Sequence, residues 1–239
     1  LSLYVGDCEE YRFALTEFIE GIPLRDLLLS PERDGPMDKL MEAVGETLAK
    51  ISDHSFPRAG FFDKDLCVTG AFSPKGYEKF AKECLKNETV LTQLSSETVA
   101  KSHLYLEKYA SFFPGETERH LVHADFDPAN ILVSKREETW EITGVLDWEF
   151  AFSGSILCDV ASMLRYASDM SPLFQEAFLE GLQRGLKRRG RSLPAHFALS
   201  ISVLNLLSLL DCLVHSDPHK RPNQCADICS LICDIVNYG

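Results

Sequence analysis

The chain has 239 residues, 45% hydrophobic and 25% charged, which suits one large domain or a small domain joined to a larger one. Lys and Arg number 24 against 36 Asp and Glu, a formal net charge of -12. Such an acidic chain argues against nucleic acid as a partner, because it repels phosphate backbones instead of releasing their counterions.

Residues 1–20 read as a hairpin, with a strand over 3–5, a turn over 6–10 and a second, alternating strand over 11–19. The run Glu20-Gly21-Ile22-Pro23 breaks it, and a short helix is expected over 24–29. Residues 37–52 form an amphipathic helix, with Leu40, Met41, Val44, Leu48 and Ile51 on one stripe. A Gly/Pro-punctuated connector covers 56–74, and helical patterns resume over 75–93 and 96–113. Next come a short strand at Leu121 and Val122, a polar loop, a strand over 131–134, a charged turn over 135–138 and a strand over 140–146. Beyond Asp147 the expectation is helix and loop only, with helices near 157–168, 172–189, 194–214 and 222–236. A little β, then helix, then a small β cluster, then helix again is an α+β arrangement without βαβ alternation.

No apolar run reaches the roughly 18 residues of a membrane span, so no membrane partner is expected. No charged leader with a cleavage site opens the chain, and the eight cysteines show no C-x-x-C pair; the expected setting is the cytoplasm. Cys225, Cys229 and Cys233 recur every four residues around Ile228 and Ile232. Buried thiols in a helical core are the favoured reading, with a metal cluster drawing on Cys212, His215 or His219 as the alternative.

The run from His123 to Asn130 carries the chemistry. A hydroxyl attacking a γ-phosphate needs an acceptor for its proton, and the Asp125 carboxylate at the end of a short strand supplies one. Asn130, where loop becomes strand, offers a neutral oxygen suited to a hard cation. Asp147 ends the next apolar strand, and one hairpin between the two loops brings them out on the same edge. His123 is read as structural, its imidazole holding backbone groups in place. Asp127 and Pro128 shape the loop, and Glu149 lies close enough to support the metal region. Asp159 either accepts bonds from the catalytic-loop backbone or is a plain helix N-terminal carboxylate.

These motifs resemble the aminoglycoside phosphotransferase and choline kinase-like family. His123-x-Asp125 with Asn130 and then Ile-Leu-Val is similar to its catalytic loop, and Leu146-Asp147-Trp148-Glu149 to its metal-binding segment. The run from Ser155 to Ala161 resembles the bracing segment, and that from Leu15 to Gly21 the hinge strand. The resemblance implies a protein-kinase-like fold in which Asp125 is the base, Asn130 and Asp147 bind Mg2+, and His123 and Asp159 give structural support. It also implies ATP or GTP at the hinge residues Glu17, Phe18 and Ile19, over an apolar floor of Leu132 and Leu146. The acceptor would be a hydroxyl of a small molecule; Asp211, Asp227 and Asp234 offer contacts to a cationic one, although helical surface charges are commonly solvated.

Two features exclude a peptide acceptor: Asp127 stands where protein kinases commonly carry a phosphate-facing Lys, and the interval from Asp147 to Asp159 is too short for an activation segment. The family's phosphate-covering loop and strand Lys find no counterpart, and the chain reads as starting in mid-structure. The expected organisation is therefore a remnant N-terminal lobe over 1–20 and a helical C-terminal lobe over 21–239, with impaired transfer. A non-catalytic binding protein derived from such a kinase is the rival reading. Docking of a missing lobe, or self-association, is expected at the edge of the first strand.

Overall fold

The computed structural model describes residues 2–8, 11–31, 35–70, 74–115, 117–167 and 171–238. Strands β1 (Ser2–Cys8) and β2 (Tyr11–Thr16) form an antiparallel hairpin. β1 outruns the sequence expectation, because Gly6, Asp7 and Cys8 pair with Phe13, Arg12 and Tyr11 instead of turning. The remaining expected turn residues, Glu9 and Glu10, lie outside the described residues. β2 ends at Thr16, so residues 17–19 do not continue the strand as expected. Every residue of β2 is exposed, and its apolar alternation marks no buried face.

A three-stranded sheet follows, in the order β3 (Ile22–Pro23), β6 (Ile131–Arg136), β7 (Thr139–Val145). Two of the four residues read as a strand breaker, Ile22 and Pro23, thus belong to a new strand, with Ile22 opposite Val133 and Pro23 opposite Leu132. Pro23 is tolerated because β3 is an edge. Gly21 makes the entry possible: its φ is +154°, and a side chain there would strike Thr143 Oγ1 and the Val133 carbonyl. The second sheet, β4 (Gly60–Phe61), β8 (Phe152–Gly154), β5 (His120–Val122), includes a strand beyond Asp147, where only helix and loop were expected. Three residues carry too little alternation to read, and β8 exists through its pairing with β5 and β4.

The helices among the described residues are α1 (Leu24–Leu29), α2 (Met37–Ile51), α3 (Pro74–Cys84), α4 (Glu88–Gln93), α5 (Ser96–Tyr109), α6 (Leu157–Leu164), α7 (Pro172–Lys187), α8 (Phe197–Val214) and α9 (Pro222–Tyr238). The expected helix over 75–93 is two, because Asn87 leaves the helical conformation and caps α4 by accepting the Thr89 N–H at 2.9 Å. Ser95 caps α5 in the same way, through the Thr98 N–H. α8 is by length and composition apolar enough to cross a membrane, contrary to the expectation from apolar runs, which Asn205 and Asp211 interrupt. In the fold it serves as a core helix packed on α6, α9 and α3. Cys225 is buried with Ile228 and Ile232, and no metal-ligating group of His, Cys, Asp or Glu side chains forms among the described residues.

The back of the molecule is the α2–α7 pair. Gly45, Gly181 and Gly185 let the two backbones approach: a methyl on Gly45 would collide with the Phe178 carbonyl, and one on Gly181 with that of Glu42. Arg184 and Arg188 then bridge the exposed rim to Glu42 and Glu46. Backbone cannot give way as a flexible side chain can. Gly45→Ala and Gly181→Ala are each expected to cost about 1–3 kcal/mol, read as a fall in urea midpoint. Gly70→Ala, where no atom lies within 4 Å of the added methyl, should leave the midpoint unmoved.

Candidate active site

The loop between β5 and β6 is fixed at its first turn by α6. Asp159, fully buried, accepts the N–H of His123 at 2.9 Å through Oδ2 and that of Ala124 at 2.8 Å through Oδ1. Asp159 thus accepts backbone N–H groups of this loop, and it also lies in the first turn of α6. Ala124 adopts a φ of +72°, a conformation that a non-glycine residue holds only when its surroundings impose it. Burial pushes the Asp159 carboxyl up to about 7, against the two N–H bonds that favour its charged form.

His123 ties this loop to the next. Its Nδ1 accepts the Asp125 N–H at 3.3 Å, so the ring proton sits on Nε2, which donates to the Leu146 carbonyl at 2.7 Å. Burial holds the imidazole below its ordinary pKa, hence neutral. With both nitrogens engaged, the His123 ring links the two loops. Leu146 is held from its other side too, its N–H reaching the Asn130 carbonyl at 2.8 Å. The following residue, Asp147, has a φ of +64° and is exposed. Trp148 lies beside the His123 ring, 4.5 Å between centroids, and donates Nε1–H to the Val145 carbonyl.

Asn130 is turned toward Asp125. Its Nδ2 donates to the Asp125 carbonyl and to Asp125 Oδ2, both at 2.9 Å. The amide oxygen is therefore the end directed away from Asp125, with no hydrogen-bond partner among the described residues. Asp125 keeps Oδ1 available, while Asp127 Oδ1 is occupied by the Ala129 N–H at 2.6 Å. Asp127 thus shapes the loop, and burial raises its pKa. The Pro128 carbonyl, tethered by the Arg25 N–H at 2.9 Å, anchors the loop to α1.

At the hinge the structure brings together some of the residues the sequence named. Leu132 pairs with Gly144, and Ile19 Cδ1 and Leu146 Cδ2 lie 3.1 and 4.0 Å from where a Gly144 side chain would project. Ile19, Leu132 and Leu146 therefore share one apolar surface, opened by Gly144, which the sequence reading missed. Glu17 and Phe18 are exposed, Phe18 at 89%. Among the acidic side chains considered for an acceptor, Asp227 receives the Tyr166 hydroxyl at 2.8 Å and Asp211 faces His215 at 3.3 Å. Asp234 and Glu149 are exposed.

The raised Asp159 carboxyl gives a testable pH signature. Its proton is held more tightly in the fold than at the ordinary value of 3.8, so its contribution to stability is full below 3.8 and is lost as pH rises through about 7. Asp159→Asn cannot ionise. Between pH 5.5 and pH 8 the wild-type urea midpoint should fall relative to that of Asp159→Asn; parallel profiles would mean that the brace is not under this strain.

A family model described as the phosphotransferase enzyme family matches residues 4–193. Hygromycin-B 4-O-kinase of Escherichia coli is 26% identical over 166 residues, 65% of this chain and 43% of the relative, so the chain spans less than half the length of that curated relative. Among solved structures, aminoglycoside phosphotransferase APH(4)-Ia superposes with a TM-score of 0.70 at 22% identity, covering 99% of this chain and 75% of the other. A thermostable mutant of it, in ternary complex with AMP-PNP and hygromycin B, gives 0.69 at 22%, covering 98% and 75%. The GDP complex of aminoglycoside 2'-phosphotransferase-IIIa gives 0.68 at 14%, covering 99% and 74%. The fold is thus the protein-kinase-like fold of the aminoglycoside phosphotransferases, and the chain belongs to the phosphotransferase enzyme family.

Proposed function

We propose that this chain transfers the γ-phosphate of ATP or GTP to a hydroxyl of a small molecule. The observation that carries the reading is the Asp125 carboxylate: one oxygen is held by Asn130, the other is open, and Asp147 stands on the adjoining loop. As the acceptor oxygen bonds to the γ-phosphorus, the bond from that phosphorus to its bridging oxygen breaks and the nucleoside diphosphate leaves. The hydroxyl proton passes to the open oxygen of Asp125. Asn130 fixes the direction in which that oxygen points, and His123 keeps the Asp125 and Asp147 loops in register.

Asn130 Oδ1 and Asp147 fit a divalent cation, being hard oxygen donors that the fold leaves uncommitted, and Mg2+ is assigned to them. When bound, it would neutralise charge on the phosphates. The Ile19, Leu132 and Leu146 surface is assigned to the base, with the adjacent backbone at Glu17 and Phe18 bonding it. The relatives support the assignment: solved neighbours hold AMP-PNP, ADP or GDP, and some hold hygromycin B or kanamycin.

We further place residues 1–20 as N-lobe hairpin and hinge and 21–239 as the catalytic lobe. Any further lobe or second copy is placed at the exposed β1 edge, around Tyr4 and Val5. Eight free thiols suit a reducing cytoplasm, where we place the chain.

Asp125→Asn is expected to lower phosphoryl transfer by about 10²–10⁴ while leaving Mg-ATP binding, measured by calorimetry, unchanged. Asn130→Ala and Asp147→Ala should instead remove the metal dependence of that binding. Transfer by Asp125→Asn at the wild-type rate would refute the assigned base.

A further inference from the structure

The approach to β5, the start of α6, and the end of α7 with its following loop enclose a cavity of about 290 Å3. That is room for about ten waters, at the small end of small-molecule pockets. None of the residues assigned above to phosphoryl transfer or to the nucleotide lines it. Its floor is apolar, with Ile156, Leu157 and Leu186 buried and Leu193 half-buried beside them. Its rim is exposed at Ser192 and Pro194.

The walls are held by bonds within the chain. Gly190 ends α7 at a φ of +68°; its N–H reaches the Lys187 carbonyl at 3.1 Å, and the Arg191 N–H reaches that of Leu186 at 2.9 Å. This pair of bonds around a left-handed glycine closes a helix and sets the direction of the chain beyond it. The Arg191 side chain then meets the end of α2 and the first residue of β5. Its Nη1 donates to the Ser52 carbonyl at 2.9 Å and to His120 Nδ1 at 3.3 Å, and its Nη2 to Ser52 Oγ at 3.0 Å and Asp53 Oδ1 at 3.1 Å.

Those bonds also decide which charge the cavity suits. Both Nη groups of Arg191 are committed, and its charge is met by Asp53. The first turn of α6 is committed as well. The Leu157 N–H ends on Ser155 Oγ at 3.2 Å, and the Cys158 and Asp159 N–H groups end on the Ser155 and Ile156 carbonyls, each at 3.1 Å. The two features of this wall that could attract an anion are therefore already engaged. Glu118, half-buried, is the carboxylate in the lining.

We propose that this cavity is a second ligand site for a small primary amine, whose ammonium meets Glu118 while its apolar body lies on Ile156, Leu157 and Leu186. An ammonium carries three donors and no acceptor, which suits a carboxylate. Nothing in this site depends on the phosphotransferase reading.

The full chain, labelled at its Ile and Leu methyl groups, is titrated without nucleotide and followed by NMR. Three probes share a ring and a one-carbon reach: cyclohexylmethylamine, cyclohexylmethanol and cyclohexanecarboxylate. The amine is expected to bind about fivefold tighter than the alcohol, with the carboxylate weakest and with methyl shifts at Ile156, Leu157, Leu186 and Leu193. Glu118→Gln should bring the amine to the affinity of the alcohol. Equal binding of amine and alcohol by wild type, or an advantage that survives in Glu118→Gln, overturns the proposal. Preference for the carboxylate overturns it too, and would assign the cavity to Arg191. Amine shifts confined to Ile19, Leu132 and Leu146 would place the probe on the hinge surface and sink the second site, as would no shift at millimolar probe. If Glu118→Gln does not fold, Ser192→Trp at the exposed rim decides: filling the mouth should remove the amine shifts, and unchanged amine affinity overturns the site.

Discussion

The backbone N–H groups of His123 and Ala124 both end on the carboxylate of Asp159, inside the molecule on α6. That double bond to one side chain sets the direction in which the chain leaves β5. It holds Ala124 in the left-handed conformation, after which the Asp125 N–H turns back to His123 Nδ1. From there the constraints run on in sequence. The Asp125 N–H fixes the imidazole tautomer, the imidazole fixes the Leu146 carbonyl, and Asn130 returns to both Asp125 and Leu146. Each bond has a partner that another bond has already oriented. The brace stands on α6, packed against α8, so the site is built on the core and not on the exposed hairpin.

Several carboxylates in one small region repel each other, and the fold answers differently at each. Asp159 lies out of water, and its proton is held more tightly as a result. Asp127 is half-buried and takes backbone N–H bonds that favour its charge against burial. Asp147 is left in solvent, where charge costs little. Negative charge is thus left at the exposed Asp147 and diminished toward the buried Asp159.

Much of the site was legible in the sequence because its chemistry lies in local spacing. Asp125 and Asn130 belong to one loop, so their interval alone predicts that one can hold the other. Asp147 follows an apolar strand whose partner is the strand just before it, and a hairpin is the simplest non-local contact to read. What escaped was everything fixed by distant pairing. β8 has no pattern of its own and exists because β5 and β4 flank it. Ile22 and Pro23 read as a breaker because their strand is two residues long and borrows its geometry from β6. Gly144 looks like any glycine in a strand until Ile19 arrives over it. Propensity was overridden at the hairpin as well: apolar alternation in β2 pointed to a buried face that the described fold does not supply.

Leu146 divides its labour between backbone and side chain. Its N–H and C=O are both taken, one by each half of the preceding loop, so the residue cannot rotate without breaking two bonds at once. The side chain takes no part in that frame and lies on the surface beside Gly144, 38% exposed. Because the frame uses only the peptide groups of Leu146, the position is indifferent to what it carries, and the apolar surface that the proposed function assigns to the base can be reshaped there without disturbing the register of the two loops. On the proposed function, position 146 is a place where specificity can drift while the geometry of the two loops stays constant.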